Sequence, residues 1–188
     1  VLVNRNFSRN TSNKVFNIVT CGKITVQKNP SFFNEIASFF KQNDNVKFTW
    51  IGDGELKDEL KDVSITGWCS KEGVFEHLSK ADLYLSTSSW EGLPLAGIEA
   101  MACGVPLLMN ECVGNNDLVN RGINGYIFDS RIKAIEDIEY LKANPDTLKK
   151  LAENSLKMYE RHYNNFRCAR DYDLLYKAIQ RKGLIANA

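Results

Sequence analysis

The sequence has 188 residues, 24 Lys and Arg against 23 Asp and Glu, a formal charge of +1, 44% hydrophobic residues and five cysteines. This is ordinary globular composition and argues against disordered, collagen-like and membrane-spanning classes; the length suits one well-cored unit with a helical extension rather than two full domains. A charge so near zero gives no general attraction to nucleic acid or anionic lipid, so we expect no nucleic-acid partner, and any polyanion site must be a local arrangement of a few basic groups.

The chain opens with the polar stretch VLVNRNFSRNTSNK. Asn6-Phe7-Ser8 and Asn10-Thr11-Ser12 fit the glycosylation acceptor pattern, which is common by chance. Short apolar runs then alternate with amphipathic segments. The runs are too continuously hydrophobic for half-exposed antiparallel strands and read as buried parallel ones. They are Val15 to Thr20, Val46 to Ile51, Val63 to Thr66, Asp82 to Ser86, Val105 to Met109 and Gly125 to Phe128. A first helix starts with Pro30 at its first position and buries Phe32, Phe33, Ile36, Phe39 and Phe40. Further helices cover Glu55 to Lys61, Ser70 to Lys80, Pro94 to Cys103 and Asn115 to Asn120.

Repeated strand and helix in this order predict a doubly wound, Rossmann-like α/β parallel sheet of about six strands, with ligands at the carboxyl ends of the strands. Beyond Ser130 the pattern turns to helix: Ile132 to Lys142, Pro145 to about Tyr163, and about Cys168 to Gln180. The last carries an aromatic-rich stripe of Ala169, Tyr172, Leu175, Tyr176 and Ile179, which must pack on something. Cys21, Cys69, Cys103, Cys112 and Cys168 are odd in number and lack C-x-x-C spacing. That disfavours a disulfide framework or a zinc site and fits a reducing cytoplasm.

The strongest local feature is SSWEGLPLAGIEAMACG, in which a strand ends, a loop carries Glu91 and Gly92, and Pro94 opens a helix whose one charge is Glu99, in E-x₇-E spacing. Glu99 sits among Leu95, Ala96, Ile98, Ala100, Met101 and Ala102, so its carboxylate needs a donor. Either a neighbouring backbone or lysine supplies it, or the hydroxyls of a ligand do, and a ribose diol offers two. The amides from Gly92 through Leu93 and Pro94 to Leu95 open this helix, where an anion or sugar oxygen is favoured.

In CGKITVQKNP, directly after the first strand, Lys23 and Lys28 stand five apart. They are either solvated surface lysines or a pair that neutralises a diphosphate without metal. This loop lacks G-x-G-x-x-G, Gly52-Asp53-Gly54 is a bare G-x-G, and no G-x-x-x-x-G-K-[ST] occurs. A dinucleotide cofactor and a P-loop are thereby disfavoured. His77 and His162 lie on helices with no triad or metal motif and read as structural.

Taken in order, GKITVQK, WIGDGELKDEL, VSITGW, ADLYLSTSSWEGLPLAGIEAMACGVPLL and VGNNDLVNRGINGYIF resemble the nucleotide-sugar-binding C-terminal half of retaining family 4 glycosyltransferases of the GT-B fold, over about residues 15 to 130. The resemblance implies that Glu91 contacts donor-sugar hydroxyls, Glu99 holds the ribose, and Lys23 and Lys28 grip the diphosphate, with Lys23, Lys28 and Glu91 as the catalytic set. Gly22, Ser88, Gly92, Leu93, Pro94 and Leu95 would border the phosphates and sugar, and Gly67, Trp68 and Cys69 the nucleobase. It implies a metal-independent hexosyltransferase with no cofactor, taking a nucleotide-diphosphate sugar, a UDP-sugar in preference, to a glycan or lipid-linked acceptor with retention. The setting it implies is bacterial surface polysaccharide, lipopolysaccharide or capsule.

Lys23 departs from the family's Arg, a point charge in place of a fork, and Asn115 and Asp117 depart from its Gly and Glu in VGNND. The resemblance further divides the chain into residues 1–14, an interdomain linker remnant; 15–165, the donor-binding domain; and 166–188, a helix crossing back to a missing N-terminal acceptor domain. Any membrane contact, peripheral to the inner membrane, would then belong to the missing half, and the fragment would bind donor without efficient transfer. The rival readings are a non-catalytic binding or scaffolding module on the same fold, a sugar-nucleotide epimerase and a phosphorylase.

Overall fold

The computed structural model describes residues 15–186, with side chains described through residue 180. The linker expected at residues 1–14 lies outside the described residues. Six strands, β1 (Phe16–Cys21), β2 (Val46–Ile51), β3 (Ser64–Ile65), β4 (Leu83–Ser86), β5 (Leu107–Asn110) and β6 (Gly125–Phe128), form one all-parallel sheet in the order β3-β2-β1-β4-β5-β6. This is the doubly wound order with its switch point between β1 and β4.

Both faces are covered, which is why the central strand β4 is buried along its whole length. On one face Ile18, Leu83, Leu85 and Leu108 join Phe33 and Ile36 of α1 (Pro30–Phe39) and Ile138 and Leu141 of α5 (Arg131–Ala143). Their neighbours Val19, Tyr84, Leu107 and Met109 point the other way, onto Leu78 of α2 (Lys71–Lys80) and Ala100 and Met101 of α3 (Leu95–Ala102). A one-turn α4 (Asn115–Leu118) precedes β6. After α5, α6 (Pro145–Met158) runs through a π-helical turn at Tyr159–Tyr163 into α7 (Asn165–Ala186).

The helix starts follow local chemistry. Ser70 and Ser130 accept from the amides of Gly73 and Lys133 three residues on, and Asn29, in the left-handed region at φ 50°, accepts from Phe32 ahead of Pro30. Two expectations are corrected. Phe39 is 58% exposed, because at about 100° per residue it falls well off the line of Phe33, Ile36 and Phe40. The segment Glu55 to Lys61 makes a single 3₁₀ turn at Lys57–Glu59 instead of a helix. Its leading loop is pinned to the loop that follows β1, with Ile24 N–H donating to Asp53 O at 2.9 Å.

Candidate functional site

The loops that follow β1 and β4 meet at the switch point. The β1 loop turns at Gly22, whose φ of 139° suits glycine, and closes in a 3₁₀ turn at Val26–Lys28. A β-carbon on Gly22 would sit 3.5 Å from Lys28 Cε, so the lysine stem folds back over this glycine. The Thr87 hydroxyl, buried at the end of β4, reaches the carbonyl oxygens of Lys28 at 2.9 Å and Asn29 at 3.1 Å, and Ser89 N–H donates to Gln27 O at 2.9 Å. These bonds, between residues about sixty apart in sequence, lock the two loops together.

At their junction Lys28 Nζ lies 2.5 Å from Glu91 Oε1, with side chains 22% and 7% exposed. Gln27 Nε2 donates to Trp90 O at 2.9 Å and approaches Glu91 Oε2 at 3.4 Å. Gln27 stands inside the GKITVQK motif but was not singled out there; an uncharged loop residue carries no signal of its own in the sequence. Lys23 takes a different direction from Lys28. It is exposed and paired with Glu55 at 3.2 Å, so the two lysines expected to act together have separate partners here.

Next to Glu91 the helix α3 starts without a side-chain cap, unlike α1, α2 and α5. Gly92 is exposed with open space where a β-carbon would be, Leu93 and Leu95 are exposed, and Pro94 is buried. The first-turn amides of α3 thus lack a side-chain cap beside Glu91. Ser88 is buried beneath this loop; its hydroxyl accepts from Ser86 at 3.2 Å and its carbonyl accepts from Asn110 Nδ2 at 3.1 Å, so it supports the loop from below.

One turn further along α3, the Glu99 carboxylate makes no hydrogen bond or ion pair among the described residues. Burial raises its pKa, and Lys71 partly offsets this. The thiol of Cys21, the last residue of β1, is pushed up to about 12, chiefly by burial and then by the Glu99 charge, with Cys69 adding and Lys28 opposing. Glu99, Cys69 and Lys28 thus act on the same end of β1. Cys69 Sγ donates to Thr66 Oγ1 at 3.3 Å, and the loop around it holds Gly67 at φ 74° and Trp68, a residue 71% exposed. Trp50 by contrast is fully buried, with Nε1 donating to Gly22 O at 2.9 Å.

The VGNND turn backs onto Glu91. Gly114 presses against the Glu91 and Gly92 carbonyls, and Asn115 is buried with Nδ2 donating to Asn110 O at 2.9 Å. Among the described residues Asn115 Oδ1 has no partner. Among them too, no group of three His, Cys, Asp or Glu side chains is placed to hold a metal ion, and no helix is long and apolar enough to cross a membrane.

The sheet order and flanking helices are those of the Rossmann-like C-terminal domain of a GT-B glycosyltransferase. Residues 15–144 match the family of group 1 glycosyl transferases, and the chain belongs to that family. It is 33% identical over 129 residues to the UDP-Gal:alpha-D-GlcNAc-diphosphoundecaprenol alpha-1,3-galactosyltransferase of Escherichia coli, covering 61% of this chain and 32% of the relative. It is 26% identical over 136 residues to the amylovoran biosynthesis glycosyltransferase AmsK of Erwinia amylovora, covering 63% and 33%. Among solved structures it superposes on Anabaena Alr3699/HepE in complex with UDP-glucose with a TM-score of 0.76 at 16% identity, covering 87% of this chain and 49% of that one. The chain spans about a third of the length of these curated relatives.

Proposed function

We propose that this chain is the donor-binding half of a retaining hexosyltransferase that moves a sugar from a UDP-sugar to a glycan or lipid-linked acceptor in bacterial surface polysaccharide synthesis. The observation that carries the reading is the Lys28–Glu91 pair at 2.5 Å, set at the switch point beside the uncapped start of α3. Glu91 offers a carboxylate to sugar hydroxyls. Lys28 spends one of its three N–H donors on Glu91 and has two for a diphosphate. Glu99, with no hydrogen bond or ion pair among the described residues, accepts from a ribose diol, and Trp68 presents an exposed face to the base. The UDP-sugar follows the donor in the name of the Escherichia coli relative, and the polysaccharide setting follows that relative and AmsK.

In the reaction the bond between the anomeric carbon and the phosphate oxygen breaks as the acceptor oxygen bonds to that carbon on the same face. The acceptor proton passes to the departing diphosphate. Lys28 and the α3 amides stabilise the negative charge as it grows on the leaving group, in a site organised before the substrate arrives. Neither glutamate is assigned as a nucleophile, and neither metal nor cofactor is assigned a part. Residues 15–165 form the donor-binding domain in this reading. The segment 166–188, whose helix α7 exposes Tyr172, Leu175, Tyr176 and Ile179, crosses back to an acceptor domain elsewhere in the protein. Contact with the cytoplasmic face of the inner membrane is assigned to that domain.

Calorimetric titration of the chain with UDP, GDP and ADP, with and without Mg²⁺, tests the reading. Binding of one nucleotide irrespective of Mg²⁺, abolished by Glu99→Ala and by Lys28→Ala, is the expected result. At 100 times its dissociation constant such a ligand adds about 2.7 kcal/mol of apparent stability. A folded chain that binds none of the three favours a scaffolding module on this fold.

A further inference from the structure

We propose that Gln27 is a positioning residue that fixes the orientation of the Glu91 carboxylate toward the donor sugar, an inference that rests on the reading of Glu91 as the sugar-hydroxyl acceptor. Lys28 engages Oε1 alone. A compact ammonium leaves a carboxylate free to turn about its terminal bond, because a point charge carries little directional preference. Gln27 supplies the second restraint. Its side-chain nitrogen donates to Trp90 O at 2.9 Å and stands 3.4 Å from Glu91 Oε2. A primary amide has two N–H bonds in one plane, so one on the residue-90 carbonyl aims the other at the residue-91 carboxylate. The loop backbone and the carboxylate are thereby fixed to the same rigid group.

Two further features fit a positioning role. Gln27 is itself held by its main chain, through Ser89 N–H to Gln27 O at 2.9 Å, so its side chain is free to orient Glu91 while its backbone keeps the loops joined. As a neutral donor it leaves the carboxylate charge in place for sugar hydroxyls, and each oxygen retains acceptor capacity. A second cation here would quench that charge. Holding a reacting group in one geometry before the substrate arrives lowers the cost of binding and of the transition state.

The experiment measures the dissociation constants of the chain for whichever of UDP, GDP and ADP it binds most tightly, and for the glucose, galactose and N-acetylglucosamine derivatives of that nucleotide. The ratio of the nucleotide constant to the best sugar-nucleotide constant isolates the contribution of the sugar. Wild type is compared with Glu91→Gln, Gln27→Met, which keeps the length without donors, and Gln27→Glu, which sets a second carboxylate against Glu91. We expect Glu91→Gln and Gln27→Glu to lower the ratio about tenfold and Gln27→Met about threefold, with nucleotide affinity within about twofold of wild type in Gln27→Met. If Glu91→Gln leaves the ratio unchanged, the reading of Glu91 fails and the proposal with it. If Glu91→Gln lowers the ratio and neither Gln27 variant does, the positioning role alone is overturned. Equal loss of nucleotide and sugar-nucleotide affinity in the Gln27 variants also overturns it, because that is the signature of a loop that has merely come apart. A chain that binds no nucleotide overturns both.

Discussion

A β-carbon placed on Gly114 would lie 2.7 Å from the carbonyl oxygen of Glu91 and 2.8 Å from that of Gly92, closer than real β-carbons approach backbone. The turn carrying Gly114 is the buttress behind the acidic loop. Its backbone, at φ 83° and ψ −46°, also belongs to a region that side-chain-bearing residues rarely enter. Gly114→Ala must therefore push the Glu91–Gly92 backbone away from residue 114 and disturb the Lys28–Glu91 pair. A stability loss of about 1–3 kcal/mol is expected in urea unfolding. Calorimetry on the folded variant should show donor-sugar binding more impaired than nucleotide binding. Wild-type affinity for both would mean that the buttress yields without moving Glu91.

The two lysines of the β1 loop should behave differently. Lys23 and Glu55 are both more than half exposed, so Lys23→Ala removes a surface pair worth about 0–1 kcal/mol and should leave the unfolding midpoint nearly unchanged. Lys28→Met strands a carboxylate that is 7% exposed, leaving it the Gln27 approach at 3.4 Å as its hydrogen-bond partner among the described residues. Its cost should be about 2–3 kcal/mol, short of the roughly 3–5 kcal/mol of a fully buried pair because Lys28 itself keeps some contact with water. Parallel urea titrations separate the cases, and equal effects would contradict the geometry.

The strands and their parallel, doubly wound class were legible because each buried parallel strand is a short apolar run bounded by turn residues, and β2 and β6 fall on the expected limits. Glu91, Glu99 and Lys28 stood out because charge is rare beside such runs. The pairing of Lys28 with Glu91, and of Lys23 with Glu55 instead, was not legible. It depends on the left-handed Asn29 and on bonds between loops about sixty residues apart, which no local spacing records. Gln27 and Thr87 were silent for the same reason: their role lies in what they touch across the sheet. The missing helix at Glu55 to Lys61 shows the converse error. A plausible helical pattern lost to a tertiary contact, the bond from Ile24 to Asp53.

Glu99 sets stability against binding. Its pKa is raised in the folded chain, first by burial, so the folded state holds its proton to higher pH than the unfolded state does. Below the ordinary carboxylate value both states are protonated and the residue makes no difference. As pH rises from about 4.5 through the raised folded value, the unfolded chain ionises first and the folded chain loses relative stability. Glu99→Gln removes that penalty. Its thermal midpoint should match wild type near pH 4 and exceed it at pH 7, while nucleotide affinity at pH 7 falls about tenfold or more through loss of a charged acceptor. Midpoints at the two pH values, with and without nucleotide, read both effects, and a variant less stable than wild type at pH 7 would show that Glu99 has a protein partner after all.

Trp68 provides the sharpest separation of binding from folding. The residue is 71% exposed on a loop whose neighbour Gly67 leaves open space, whereas Trp50 is buried against Phe33 with ring centroids 5.2 Å apart. A large exposed aromatic contributes little to the fold, and stacking on a base is worth about 1–3 kcal/mol. Trp68→Ala should thus leave the thermal midpoint within about 1 °C of wild type, as a change of a fraction of a kcal/mol would, and weaken nucleotide binding by about tenfold. Trp50→Ala should do the reverse, costing about 3–5 kcal/mol of stability as large core truncations do. Quenching of Trp68 fluorescence on titration with the nucleotide, lost in Trp68→Ala, would place the base on this ring; unchanged affinity in the variant would place it elsewhere on the rim of the site.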